Sequence, residues 1–155
     1  MFHIFLNLFF KLLKRKYDHR CMNKKNILFV CVENSNRSQM AQAFAEIHGG
    51  GKVRAYSAGS RPSGKINPKA IAAMKELNYD LSKGQSKSLD EIPKTEYEYA
   101  VTMGCGDECP FVIAAHREDW NIPDPREMNE AEFRKVRDMI EEKVIGLLKI
   151  IGRKS

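Results

Sequence analysis

The sequence has no uninterrupted apolar run of the ~20 residues that a membrane-spanning helix needs. Its four cysteines, at 21, 31, 105 and 109, are too few and too scattered for the disulfide lattice of a small secreted domain. There is no internal repeat or low-complexity tract, and no interdomain linker after residue 25. Charge of one sign is also missing from most of the chain. The formal net charge is +6, yet residues 1–25 hold seven Lys and Arg against one acid, Asp18. The remaining nineteen bases are balanced by nineteen acids. The basic character therefore belongs to a tail, and a nucleic-acid function loses its main support. What is present is ordinary: 155 residues, 43% hydrophobic and 30% charged, enough for one domain with its own core.

The tail is the odd part. Phe2 to Leu13 is apolar but broken by His3, Asn7 and Lys11, and its charges follow the apolar stretch instead of preceding it. That order, with no small-residue cleavage site, does not fit a secretory signal. A basic apolar segment of this kind can lie on a membrane surface. The simpler reading is a disordered tail or leader artefact over residues 1–24, since Met22 opens directly into a strand-like run. A single domain over 25–155 is expected, cytoplasmic, monomeric and without membrane contact through the tail.

Asn26–Cys31 is a short continuous apolar run, the pattern of a strand buried on both faces. Ser38–His48 has helical spacing and is stopped by three glycines. Val53–Ala58 reads as a second strand. Asn67 and Pro68 open a helix through Leu77, and Ser88 caps a short helix before Pro93. Tyr99–Met103 is a third strand and Trp120–Ile122 a short fourth. Asn129 with Glu132 starts a long last helix, whose apolar stripe is Phe133, Val136, Ile140, Val144, Leu147, Leu148 and Ile151. Strands alternating with helices predict an α/β fold with a parallel sheet covered on both faces. Ligands in such folds sit outside the carboxyl ends of the strands, here just after Cys31, Met103 and Ile122.

Cys31 to Ser38 reads C-V-E-N-S-N-R-S, a C-x5-R-S pattern between a buried strand and a helix. A loop wrapping into a helix start turns several backbone N–H groups inward, and the helix dipole adds positive potential. Arg37 supplies a planar fork for two oxygens of a tetrahedral anion. The same field stabilises a thiolate, so Cys31 is expected to be an ionised nucleophile beneath a phosphate-like anion. Asn34 and Ser38 can hold the loop and hydrogen-bond the sulfur, with Ser35 and Asn36 completing it. A cysteine simply buried at a strand end is the bland alternative. The strand-to-helix context, the trailing serine and a distant Asp-Pro favour the anion loop.

With these residues the chain resembles the low-molecular-weight protein tyrosine phosphatase superfamily, and within it the thioredoxin-coupled arsenate reductases. The resemblance runs over residues 26–150, through FVCVENSNRSQMA at 29–41, YSAGS at 56–60, NPKAI at 67–71, SKSL at 86–89, VTMGCGDECP at 101–110 and IPDP at 122–125. It implies a flavodoxin-like four-stranded parallel sheet, a nucleophilic Cys31, an anion-binding Arg37 and a general acid at Asp124. Two prolines flank Asp124 and stiffen its loop, which suits a carboxyl group that delivers a proton at one position. Taken alone, an aspartate before proline would be only a turn.

Cys105 and Cys109 lie beyond the third strand, at the same sheet edge as Cys31. A phosphatase needs one thiol, so two more there require a reason. If helical, the pair would lie about 6 Å apart and could be bridged, while Gly104, Gly106 and Pro110 suit a loop that moves. Cytosolic disulfides are usually catalytic. Zinc held by these thiols with Cys31 and His116 is a weaker option, because no second close-spaced pair exists. No metal or cofactor is expected, and Cys21 has no role. His48 and His116 read as solvated or half-buried helix-end residues.

Three departures from the better-known arsenate reductase pattern stand out. Glu33 places an acid at the rim where glycine is frequent, Asn36 stands where some relatives carry a cysteine, and the Cys105–Cys109 spacing is short. Arg126-Glu127 follow the Asp-Pro where phosphatases usually present tyrosines. The expected function is arsenate reduction by a Cys31, Cys105, Cys109 thiol relay, with arsenate as substrate and thioredoxin as reductant. The alternatives are a phosphatase needing only Cys31, Arg37 and Asp124, and a non-enzymatic thiol sensor of oxyanions or redox state.

Overall fold

The computed structural model describes residues 24–104, 106 and 111–154. The tail, Cys21, Cys105 and Cys109 lie outside the described residues. The elements are β1 (Lys25–Cys31), α1 (Arg37–His48), β2 (Val53–Gly59), α2 (Pro68–Lys75), β3 (Tyr97–Thr102), β4 (Ala114–Asp119) and α3 (Glu130–Arg153). Two 3-10 turns, Leu81–Lys83 and Leu89–Glu91, lie between α2 and β3. All strand pairs are parallel, in the order β2-β1-β3-β4. This is the expected flavodoxin-like α/β sheet.

Central position explains the apolar run of β1, where Ile27 to Cys31 are buried on both faces. Ile27, Phe29 and Cys31 face the larger core with Tyr99, Val101 and Met103. Met40 and Phe44 of α1, Ala70 and Met74 of α2 and the stripe of α3 cover that face. Leu28, Val30 and Ala58 face a smaller cluster with Ile92 and Tyr97, packed by Leu89 and Val112. Among the described residues, helical cover of this second face is the Leu89–Glu91 turn.

The caps behave as their sequence signals predict. The Asn67 side chain accepts from the Lys69 N–H at 2.9 Å. Asn129 accepts from the Glu132 N–H at 3.0 Å while the Glu132 carboxylate accepts from the Asn129 N–H at 3.2 Å. On α3 the stripe is buried except Leu148, which packs at its edge. Arg137 joins that stripe unexpectedly. Its Nη1 donates to the Ala73 carbonyl (2.9 Å) and to Glu76 (2.7 Å), so a buried cation ties α2 to α3. Two guanidinium groups, of Arg134 and Arg137, hold the Glu76 carboxyl below the usual carboxylate range.

Three expectations need correction. The fourth strand is not Trp120–Ile122 but Ala114–Asp119, the sequence A-A-H-R-E-D. It is an edge strand and mostly exposed, so it carries polar residues and lacks the apolar signature of a buried strand. Trp120 and Ile122 are buried just beyond it, with the Trp120 ring 5.9 Å from that of Phe29. His116 accordingly lies on this strand, not at a helix end, with its ring 4.8 Å from that of Tyr99. The helix from Pro68 stops at Lys75, short of Leu77, where Asn78 turns the chain with a φ of 60°. His48 is an exposed helix-end residue, 2.7 Å from Glu141.

Candidate active site

The carboxyl ends of β1 and β3 and the turn after β4 converge on one edge of the sheet, and the residues there are built around the loop from Cys31 to Arg37. Asn34, Ser35, Asn36, Arg37 and Ser38 are all buried, an unusual concentration of polar side chains in an interior. Their hydrogen bonds account for it. Asn34 adopts a left-handed φ of 49°, and its amide oxygen accepts from Gln39 Nε2 and from the Lys87 N–H, both at 2.9 Å. Its Nδ2 donates to Ser38 Oγ at 2.8 Å. Gln39 Nε2 also lies 3.2 Å from the Asn34 carbonyl and 2.8 Å from that of Gln85. The Ser35 carbonyl accepts from the Asn67 N–H at 3.1 Å, joining the loop to the start of α2. Asn36 is the residue before α1; its side chain makes no capping bond and its Oδ1 is buried without a hydrogen-bond partner among the described residues.

The Cys31 sulfur lies 2.9 Å from Ser38 Oγ, and the Asn34 N–H donates to it at 3.3 Å. With Asn34 Nδ2 donating to Ser38 Oγ, the hydroxyl proton is free to point at sulfur, which then has two donors aimed at it. Close packing behind the loop comes from β2. A Cβ on Gly59 would sit 2.5 Å from the Val32 carbonyl oxygen and 2.9 Å from the Asn34 nitrogen, so only glycine fits. Partial burial pushes the Lys87 ammonium below the ordinary lysine value, against the opposing charges of Glu91 and Glu46.

Arg37 begins α1, and its residue is only 6% exposed. Nη1 donates to the Met103 carbonyl at 2.7 Å and to the Ile122 carbonyl at 3.1 Å, while Nη2 lies 3.7 Å from Asp124 Oδ2. One guanidinium thus binds together the ends of all three loops that sequence places at this edge. Gly104 follows with φ 71°, and a Cβ there would meet Ile122 O at 3.0 Å and Arg37 Nη1 at 3.3 Å. The Asp124 side chain is 43% exposed. Its Oδ1 accepts from the Arg126 N–H at 3.1 Å. Arg126 Nη2 lies 3.5 Å from Asp124 Oδ2 and 3.0 Å from Glu33 Oε1. Charges therefore alternate along the rim: Glu33, Arg126, Asp124, Arg37.

The structure brings Cys31, Asn34, Ser35, Asn36, Arg37, Ser38 and Asp124 together. Gln39, Gly59 and Lys87 support the same site without having been singled out, and Gly104, read from sequence as part of a moving loop, packs against Ile122 and Arg37. Gln39 had a usable signal, a polar residue on the buried face of an amphipathic helix. Zinc through His116 is not supported by the strand register. His116 pairs with Tyr99, which pairs with Ile27, four residues before Cys31 along β1. That is about 13 Å from the Cys31 level at ~3.3 Å per residue. Among the described residues no cluster of His, Cys, Asp and Glu is arranged to hold a metal.

A family model described as low molecular weight phosphotyrosine protein phosphatase matches residues 26–155. The chain belongs to that family. Within it, the chain is 36% identical over 127 residues to a glutaredoxin arsenate reductase of Synechocystis sp., a match covering 80% of this chain and 96% of the relative. It is 39% identical over 127 residues to arsenate reductase 2 of Staphylococcus saprophyticus, covering 79% and 95%. A solved arsenate reductase in a phosphate-binding state superposes with a TM-score of 0.74 at 36% identity, over 82% of this chain and 98% of that one. A thioredoxin-dependent arsenate reductase of Corynebacterium glutamicum does so with a TM-score of 0.70 at 29% identity, over 86% of this chain and 65% of that one. No helix among the described residues is long and apolar enough to cross a membrane.

Proposed function

We propose that this protein is an arsenate reductase whose Cys31 loop binds the oxyanion and starts a three-thiol relay. The observation that carries the reading is the grip of Arg37 on the Met103 carbonyl at 2.7 Å. It fixes the backbone two residues before Cys105 against the same guanidinium that faces the anion loop. The relatives named as arsenate reductases cover nearly the whole domain and favour this activity over other chemistry of the fold.

Arsenate is a tetrahedral oxyanion of phosphate-like shape, suited to the N–H groups of such a loop and to the Arg37 guanidinium. The Cys31 thiolate attacks arsenic, forming an S–As bond, and one oxygen leaves as water with a proton from Asp124. Cys105 then attacks the Cys31 sulfur. A disulfide forms, the S–As electron pair passes to arsenic, and As(V) departs as As(III) in arsenite. Cys109 attacks Cys105, freeing the Cys31 thiolate and leaving a Cys105–Cys109 disulfide. An external dithiol returns that disulfide to two thiols. Thioredoxin is the proposed reductant; a glutaredoxin is the competing one, since one relative carries that word in its name.

The Cys109→Ser variant tests the relay. One equivalent of arsenate is expected to yield about one turnover and a trapped Cys31–Cys105 disulfide, visible as linked peptides by mass spectrometry. Cys105→Ser is expected to form no such bridge. Multiple turnovers by the double serine variant, with thioredoxin as sole reductant, would overturn the relay. Running the wild type with thioredoxin and with glutaredoxin separately identifies the reductant.

A further inference from the structure

Two residues at the rim have no part in the relay, and both stand on anchored backbone. The Glu33 carbonyl accepts from Ser86 Oγ at 2.8 Å and from the Ser63 N–H at 3.1 Å. Across the mouth, Lys69 Nζ donates to the carbonyls of Arg126 (3.2 Å) and Met128 (2.8 Å). The Met128 N–H closes the turn onto the Pro125 carbonyl at 3.1 Å. Between these two fixed points the Arg126 side chain spans to Glu33 at 3.0 Å while remaining 3.5 Å from Asp124.

We propose that Arg126, held by Glu33, is a specificity-determining residue that narrows the mouth beside Asp124 to compact inorganic oxyanions and disfavours phosphate esters with an aryl group. In any cleavage at this site the departing oxygen leaves beside the acid that protonates it. With arsenate that oxygen leaves as water and needs no further room. With an aryl phosphate it carries a ring, which must stand next to Asp124, where the Arg126–Glu33 bridge runs. The bridge is about half open to solvent, with side-chain exposures of 47% and 32%. Exposed pairs of this kind contribute little, so the barrier is a bias and not a seal. This inference deepens the proposed reductase reading and rests on the Cys31 loop being the anion site.

Protection of Cys31 from iodoacetamide, followed at the Cys31 peptide by mass spectrometry, reads occupancy of the loop without requiring turnover. The probes are inorganic phosphate and phenyl phosphate, tested on the wild type, Arg126→Ala and Glu33→Gln. In the wild type, phenyl phosphate is expected to need the higher concentration for half-protection. The ratio of the two concentrations is expected to fall by about fivefold in each variant, the scale of one exposed ion pair. Using a ratio removes the general effect of changing one charge near an anion. Ratios unchanged in both variants would overturn the proposal, and so would equal protection by both probes in the wild type. Arsenate turnover, measured separately, distinguishes the two readings. If the variants show the ratio shift but the wild type never reduces arsenate, the reductase assignment is lost and the rim bridge stands. Failure of phosphate to protect Cys31 removes both.

Discussion

From Asn34 to Ser38 the Cys31 loop is buried and its side chains are tied to one another, to α2 and to the Gln85–Lys87 connection. The loop carrying Asp124, on the other side of Arg37, has its acid nearly half exposed and held by the Arg126 N–H and two guanidinium groups. Anion binding requires N–H groups aimed in advance at a fixed point, which favours a rigid, cross-braced loop. Proton delivery requires contact with water so that the acid can be recharged after each turnover. In the proposed reaction the two loops separate these needs, and Arg37 is their common neighbour.

The comparison makes graded demands. Cys31→Ser is expected to abolish arsenate reduction altogether, because a serine hydroxyl is not ionised in this loop; full activity would break the site assignment. Arg37→Lys removes the fork and the bonds to Met103 and Ile122, and kcat/KM for arsenate is expected to fall about 10²–10³-fold, the scale of losing a preorganised donor. Asp124→Asn should lower kcat by about 10²-fold or more while leaving phosphate protection of Cys31 nearly intact. Equal losses in binding and rate would show that the exposed loop also builds the anion site. Asn34→Ala leaves a left-handed residue without its bonds to Gln39, Lys87 and Ser38. Urea unfolding is expected to show a loss of about 1–3 kcal/mol, with weaker phosphate protection. An unchanged midpoint would mean the bracing does not stabilise the loop.

The reasons that some of this was legible in sequence and some was not are local. Cys31, Arg37 and Ser38 are readable because a buried strand, a tight anion loop and a helix start must follow one another in a few residues. Asn67 and Asn129 are readable because capping is a short-range interaction. β4 was misplaced because an edge strand need not be apolar, and its exposed His-Arg-Glu-Asp run has no period to detect. Gly59, Lys87 and Gly104 act on the site through contacts between residues far apart in the chain, which spacing cannot reveal. Glu33 and Arg126 were visible as departures from a family pattern, but nothing local showed that they meet. Arg137 was hidden for the same reason, a cation on an apolar stripe whose partners are on another helix.

The two carbonyls held by Arg37 Nη1 also have a mechanical meaning. Met103 lies two residues from Cys105, and Ile122 two residues from Asp124. Any displacement of Cys105 that draws the Met103 carbonyl away removes one of two anchors from the group proposed to grip the oxyanion. In the proposed relay the segment that gives up the two electrons follows directly on a residue bound to the clamp. Under that proposed relay, oxidation and product departure become steps of one linkage, in which a tug at the thiol loosens the hand on the anion.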